Sequence, residues 1–182
     1  MKNKLIAVVG MSGTGKSVVT DYLSVHNWEK IYFGGVTYKL MEEAGIERDE
    51  AGKAEKEFRE NLRKEHGLEC YAKFLEDDIR EALKEHNVVL DGLYSWQEYT
   101  YLMERFEELK LVCVVTDKAL RYERVSKRVE RPFDKEAIVY RDLSEIENLY
   151  KGGPIAYADY YILNNGAKED IINRLKEILE EV

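Results

Sequence analysis

The sequence predicts an α/β fold, a five-stranded parallel sheet with helices on both faces. Three observations carry this. Short apolar, β-branched runs recur along the chain, beginning with Leu5-Ile6-Ala7-Val8-Val9. Longer segments with apolar residues at helical spacing separate them, as parallel strands with crossover helices require. The first run also leads directly into a glycine loop and then into Val18-Val19-Thr20-Asp21-Tyr22-Leu23, which has helical spacing.

That loop, Gly10 to Ser17, reads G-M-S-G-T-G-K-S and fits the phosphate-binding pattern G-x-x-x-x-G-K-[ST]. Gly10, Gly13 and Gly15 allow the backbone to wrap closely around an anion, and the helix start behind them aims unpaired N–H groups at it. Ser12 and Thr14 belong to the same cradle. Lys16 supplies a point charge for the β- and γ-phosphates, and the Ser17 hydroxyl is a ligand for Mg²⁺. The expected architecture is therefore the P-loop NTPase fold, with ATP and Mg²⁺ as its cofactors.

At 182 residues the default is a single domain, with hydrophobic residues at 45% and charged residues at 35%. A net charge of −8 without a basic block argues against a nucleic-acid surface. No apolar run reaches the ~20 residues of a membrane span, and the first strand leaves no room for a signal peptide, so the expected compartment is the cytoplasm. Cys70 and Cys113 form no metal-ligand pattern. His26, His66 and His86 read as residues near helix ends.

Taken in order, Lys30–Phe33 reads as a short strand stopped by Gly34-Gly35, and Val36 to about Glu43 as a helix ending at Gly45. Ile46 to His66 is charged and predicted helical. Beyond Gly67, Tyr71, Phe74, Leu75, Ile79, Ala82 and Leu83 form the stripe of an amphipathic helix. Asn87–Leu90 is a buried strand ending at Asp91-Gly92. The following helix is expected to bury Trp96, Tyr99, Leu102, Met103 and Phe106, and Leu111–Thr116 is the next strand. An arginine-rich helix then runs to Pro132, another from about Lys135 to Tyr150, and Gly152-Gly153-Pro154 is expected to be a loop. Tyr160–Leu163 is the last strand, Asn164-Asn165-Gly166 a turn, and 168–181 the closing helix. Ligands of such sheets sit outside the carboxyl ends of the strands, which puts the glycine loop, Gly34-Gly35, Asp91-Gly92 and Thr116-Asp117 along one rim.

Two further constellations carry chemistry. Asp91 ends an apolar strand where a carboxylate would face the loop and hold Mg²⁺. Arg121, Arg124, Arg128 and Arg131 recur at intervals of three, four and three, which places them on one face of a single helix. Four like charges on one stripe call for an anion. Phosphate is the expected one, with carboxylates of this acidic chain as the alternative. Arg141 lies on the returning helix, so that about 128–150 would form a lid over the transferring phosphoryl group.

With these residues in place the chain resembles the small P-loop kinases of the adenylate kinase and dephospho-CoA kinase group. In pattern it is nearest to their uncharacterised nucleotide-kinase-like relatives. Asp91-Gly92-Leu93-Tyr94-Ser95 is similar to the turn ending their third strand, and Arg121 to Asp134 to the start of their lid. The likeness implies that Arg124 and Arg128 lie against the donor nucleotide, and that Arg131 and Arg141 reach both substrates. Asn164, Asn165 and Gly166 resemble a base-contacting loop. The region of about 36–67 would be an acceptor-binding helical insert, and Leu62–Gly67 resembles the acceptor-side helices. Acceptor contacts are expected from Gly34, Gly35, Arg63, Gly92 and Tyr94. The chain departs from the pattern here. It has Gly34-Gly35-Val36-Thr37-Tyr38-Lys39 where dephospho-CoA kinases carry an aspartate and the relatives carry Gly-Asp followed by an arginine. Tyr94 stands where many relatives have an arginine, leaving Arg63, Arg59 and Lys39 as cations for an acceptor phosphate.

The expected activity is transfer of the γ-phosphoryl of ATP to a small nucleotide-like acceptor, first of all a nucleoside monophosphate. Lys16, Asp91, Arg124, Arg128, Arg131 and Arg141 would carry catalysis, with Ser17 and Asp91 on the metal. The alternatives are a dephospho-CoA kinase and a nucleotide-binding switch or regulatory ATPase. Neither nucleic acid nor membrane is expected as a partner.

Overall fold

The computed structural model describes residues 2–49, 52–128 and 133–182. Five strands, β1 Leu5–Val9, β2 Trp28–Tyr32, β3 Asn87–Asp91, β4 Leu109–Val115 and β5 Tyr160–Leu163, form one parallel sheet in the order β2-β3-β1-β4-β5. The central strand β1 is buried along its whole length. Its residues alternate between two cores, as a strand packed on both faces must. Leu5, Ala7 and Val9 face one layer with Val88, Leu90, Leu111 and Cys113, against α4 Cys70–Glu85 and α5 Trp96–Met103. Ile6 and Val8 face the other with Val89, Val112, Val114 and Ile162, against α1 Lys16–Val25 and α9 Lys168–Glu181. A one-residue slip of β1 would exchange the two sets, so the packing itself defines the register.

The remaining helices are α2 Phe33–Glu43, α3 Lys53–His66, α6 Lys118–Ser126, α7 Lys135–Glu147 and the short α8 Gly152–Ala156. Several local expectations are corrected. Gly34 and Gly35 lie inside the first turn of α2 and do not form a stop after the strand. The buried Phe33 starts the helix, and the Tyr32 ring folds so closely over it that a Cβ at Gly34 would lie 2.3 Å from that ring. The helical part of the charged stretch begins only at Lys53. Phe74 and Met103 are exposed, and Phe106 is buried from beyond the end of α5. Gly152-Gly153-Pro154 is helical, because proline is tolerated in a first turn and Gly153 lets Trp96 press against the backbone. The arginine-bearing helix α6 stops at Ser126, well before Pro132. Among the described residues, no helix is long and apolar enough to cross a membrane.

Candidate active site

The glycine loop joins the end of β1 to α1 at the crevice where the chain turns from one side of β1 to the other. Gly10 and Gly15 have φ of +148° and +90°, in the region that disfavours side chains. Each is also pressed from outside. A Cβ would meet Val114 O at 2.4 Å in the first case and Asn164 Nδ2 at 2.3 Å in the second.

Two distant segments brace this loop. Asn164, just after β5, donates from Nδ2 to Thr14 O at 2.7 Å. The Thr116 hydroxyl, beyond β4, lies 3.2 Å from Thr14 O and 3.0 Å from Asn164 O. Arg124 Nη1 donates to Asn164 O at 2.9 Å, and Asn165 Oδ1 accepts from Asp117 N at 3.0 Å. From the other side, Arg121 Nη1 donates to Ser12 O at 2.9 Å. The guanidinium of Arg121 is otherwise taken up by the buried carboxylate of Asp142 on α7, with Tyr122 OH donating to the same carboxylate. The expected four-arginine phosphate face therefore does not form as one helical stripe. Arg121 is compensated by a carboxylate, Arg128 lies beyond the end of α6, and Arg131 falls outside the described residues.

Lys16 Nζ turns inward and donates to Gly10 O at 2.9 Å and Met11 O at 3.1 Å. Burial lowers its pKa to about 7, helped by the positive charge of Lys151 and opposed by Glu145. Lys151 was not singled out from the sequence. It follows α7 and is 1% exposed, with Nζ 2.7 Å from Glu145 Oε2 and 4.2 Å from the centre of the Tyr94 ring. Arg141 Nε, one turn earlier than Glu145 on α7, donates to Glu145 Oε1 at 2.9 Å. Burial disfavours the Glu145 carboxylate, yet Lys151 and Arg141 together hold its pKa at about 2. Arg128 joins the same field. Burial of its guanidinium and then the charge of Arg141 both lower its pKa. Lys151 and Arg141 thus share one carboxylate, and the charges of both act on Lys16 in the glycine loop.

Asp91 lies beside Val8 in the β1–β3 ladder. Its Oδ2 accepts from Thr20 Oγ1 on α1 at 3.3 Å and from Lys30 Nζ on β2 at 3.1 Å. The Ser17 hydroxyl and the Asp91 carboxylate are hard oxygen donors of the kind Mg²⁺ takes. No group of three or more His, Cys, Asp or Glu fit to hold a metal occurs among the described residues. Phosphate oxygens and water would complete the shell, as is usual for this ion.

Where the sequence places the acceptor contacts, Glu98 on α5 fixes the turn after β3. Its Oε2 accepts from Tyr94 N at 2.7 Å and Ser95 N at 2.9 Å, while Ser95 Oγ caps the helix through Glu98 N. Burial raises the pKa of Glu98, and Arg63 from α3 opposes this. Arg63 Nη2 is 3.8 Å from Glu98 Oε1, and its guanidinium lies 4.9 Å from the centre of the Tyr71 ring. Arg63 Nε and Glu98 Oε1 are buried without a hydrogen-bond partner. Tyr32 reaches into the same region, and its pKa is raised by burial and then by Tyr94 and Tyr38.

The sheet, the braced glycine loop and the helices over it define a P-loop kinase-like protein. The chain belongs to the AAA_18 family, described as an AAA domain and matched over residues 6–149, and also to the UPF0200 proteins. It is 31% identical over 183 residues to a UPF0200 protein of Thermococcus onnurineus, covering 98% of this chain and 97% of that protein. Two solved kinases share the fold. Dephospho-CoA kinase from Campylobacter jejuni aligns with a TM-score of 0.59 at 18% identity, over 98% of this chain and 97% of that one. Shikimate kinase from Bacteroides thetaiotaomicron aligns with a TM-score of 0.61 at 18% identity, over 97% and 98%.

Proposed function

We propose that the chain is an Mg²⁺-dependent kinase that moves the γ-phosphoryl group of ATP to a small nucleotide-like acceptor bearing a phosphate, a nucleoside monophosphate first of all. The observation that carries this reading is the braced glycine loop with Lys16 turned into it, beside Lys151 and Arg141, which share the Glu145 carboxylate at 2.7 and 2.9 Å. Phosphoryl transfer spreads negative charge over the moving group, and cations already in place stabilise it without reorganisation. The bond between the γ-phosphorus and its bridging oxygen breaks, a bond to an acceptor oxygen forms, and ADP leaves. The glycine-loop amides and Lys16 hold the donor. Ser17 and Asp91 would hold Mg²⁺, which neutralises the β- and γ-oxygens when bound. Arg128 and Arg141 reach over the phosphates, while Asn164 and Arg124 shape the loop and the nucleotide side.

Two features favour a phosphate over a free hydroxyl as the acceptor. The Asp91 Oδ2 is already engaged by Lys30 Nζ at 3.1 Å and Thr20 Oγ1 at 3.3 Å, which leaves it badly placed to take a hydroxyl proton. Arg63 has a buried donor to offer. The dephospho-CoA kinase reading rests on shared fold and needs that missing base. The deciding experiment is ADP release from ATP-Mg²⁺ across nucleoside monophosphates, nucleosides and dephospho-CoA. Turnover confined to monophosphates supports the proposal. Turnover of dephospho-CoA alone replaces the acceptor, and no turnover with any of them removes the kinase reading.

A further inference from the structure

We propose that Lys151 is a second phosphate-binding lysine, placed beside Lys16 to contact the γ-phosphoryl group, with Glu145 as the counter-ion that holds it in the absence of nucleotide. This deepens the kinase reading above and rests on it for ATP as the donor.

A lysine that is 1% exposed needs a reason, because a buried ammonium is costly and an apolar side chain would serve packing as well or better. A purely structural ion pair is the simplest reason, and the charge balance argues against it. Glu145 is shared, with Arg141 Nε at 2.9 Å on one oxygen and Lys151 Nζ at 2.7 Å on the other. One carboxylate therefore answers two cations at contact distance, with the buried Glu98 adding only a through-space attraction for Lys151. The charge of Lys151 also acts on Lys16, so the two ammonium groups repel each other. Buried ammonium groups that repel oppose folding unless an anion offsets them.

The backbone is built to aim this side chain. Tyr150, immediately before it, has φ +52°, a left-handed conformation that costs a non-glycine residue roughly 1–3 kcal/mol. The turn is pinned on both sides. Leu149 O accepts from Trp96 N at 3.3 Å, and Lys151 N donates to Glu145 O at 3.2 Å. The face of the Tyr94 ring lies 4.2 Å from Nζ and gives the ammonium a second contact beside Glu145. Strain, pinning and an aromatic rest are the devices of a positioned charge.

The test measures affinity for AMP-PNP and for ADP, each with Mg²⁺, by calorimetry. Only AMP-PNP carries the γ-position. Lys151→Met is expected to weaken AMP-PNP by ten- to a hundredfold and ADP by less than threefold, while Lys151→Arg retains most of the AMP-PNP affinity. Should Lys151→Met fail to fold, Glu145→Gln is compared with the double variant Glu145→Gln/Lys151→Met. The added substitution is then expected to lower the AMP-PNP to ADP affinity ratio at least tenfold. An equal loss for both nucleotides, or no loss, overturns the assignment. These readouts need no acceptor. Failure of the acceptor panel leaves them standing, and their failure leaves ATP-dependent transfer open to Lys16 and Arg141.

Discussion

Asp142 on α7 accepts from both terminal nitrogens of Arg121 on α6, at 3.2 and 2.6 Å, while one of those nitrogens also donates to Ser12 O in the glycine loop. A single guanidinium thus ties α7 to the glycine loop. Breaking one side of such a buried pair costs about 3–5 kcal/mol, because the other charge is left uncompensated. Arg121→Met is expected to lose that much in urea unfolding. The paired Arg121→Met/Asp142→Leu should regain most of the stability and still bind nucleotide more weakly, since Ser12 O has lost its donor. Calorimetry with ADP checks the second half. Full affinity in the pair would show that Arg121 serves stability alone.

Lys30 sits 3.1 Å from Asp91 Oδ2 and would compete with the proposed Mg²⁺ for that oxygen. Asp91→Asn is expected to raise the Mg²⁺ concentration for half-maximal ADP release by about tenfold or more, at the scale of a disturbed metal environment. Binding of nucleotide without Mg²⁺ should stay unchanged. Lys30→Met should move the same titration the opposite way. A Mg²⁺ requirement that ignores both substitutions would make Asp91 a strand-end residue only.

Arg63 carries the acceptor assignment. A charge-assisted contact to phosphate is worth about 1.5–3 kcal/mol, which corresponds to roughly ten- to a hundredfold in acceptor KM. Arg63→Gln is expected to raise the acceptor KM by that factor and leave the KM for ATP nearly unchanged. Because Arg63 also faces the buried Glu98, the melting temperature must be recorded alongside. A large drop in melting temperature with unchanged acceptor KM would assign Arg63 to the fold.

Glu145 provides a pH signature. Its ordinary pKa of 4.5 is lowered to about 2 in the folded chain, where Lys151 and Arg141 overcome the opposing effect of burial. The folded state therefore binds this proton less readily than the unfolded one. The associated stability, about 3 kcal/mol at most, is fully present above pH 4.5 and disappears as the pH falls towards 2. The stability gap between the parent and Glu145→Gln is expected to be widest at neutral pH and to narrow through that window. Denaturant titrations at pH 7, 4 and 2.5 measure it, and a constant gap would refute the pairing.

The five strands and the glycine loop were legible because each is a local pattern. A buried parallel strand is a continuous apolar run, and the loop is a string of glycines ending in Lys-Ser. What could not be read locally was the partner of each charge. Arg121 and Arg124 share a helix face, but only the return of α7 brings Asp142 to the first and only the end of β5 brings Asn164 O to the second. Lys151 stands in no motif. Its burial follows from the turn at Tyr150 and from Glu145, six residues earlier. Gly34-Gly35 reads as a break because glycine pairs usually are, whereas here it makes room for the Tyr32 ring.

The hydrogen bond from Asn164 to Thr14 spans 150 positions of the chain. During synthesis the entire Gly10–Ser17 motif emerges from the ribosome long before the residue that shapes it. Nascent chains that have not yet completed β5 lack the Asn164 amide on Thr14 O and have at most the Thr116 hydroxyl there, so the loop gains its full bracing only when translation is almost finished. Among the described parts of the molecule, the oldest segment in order of birth thus becomes competent only with the arrival of one of the youngest. In the proposed kinase, ATP would then favour complete molecules over unfinished ones.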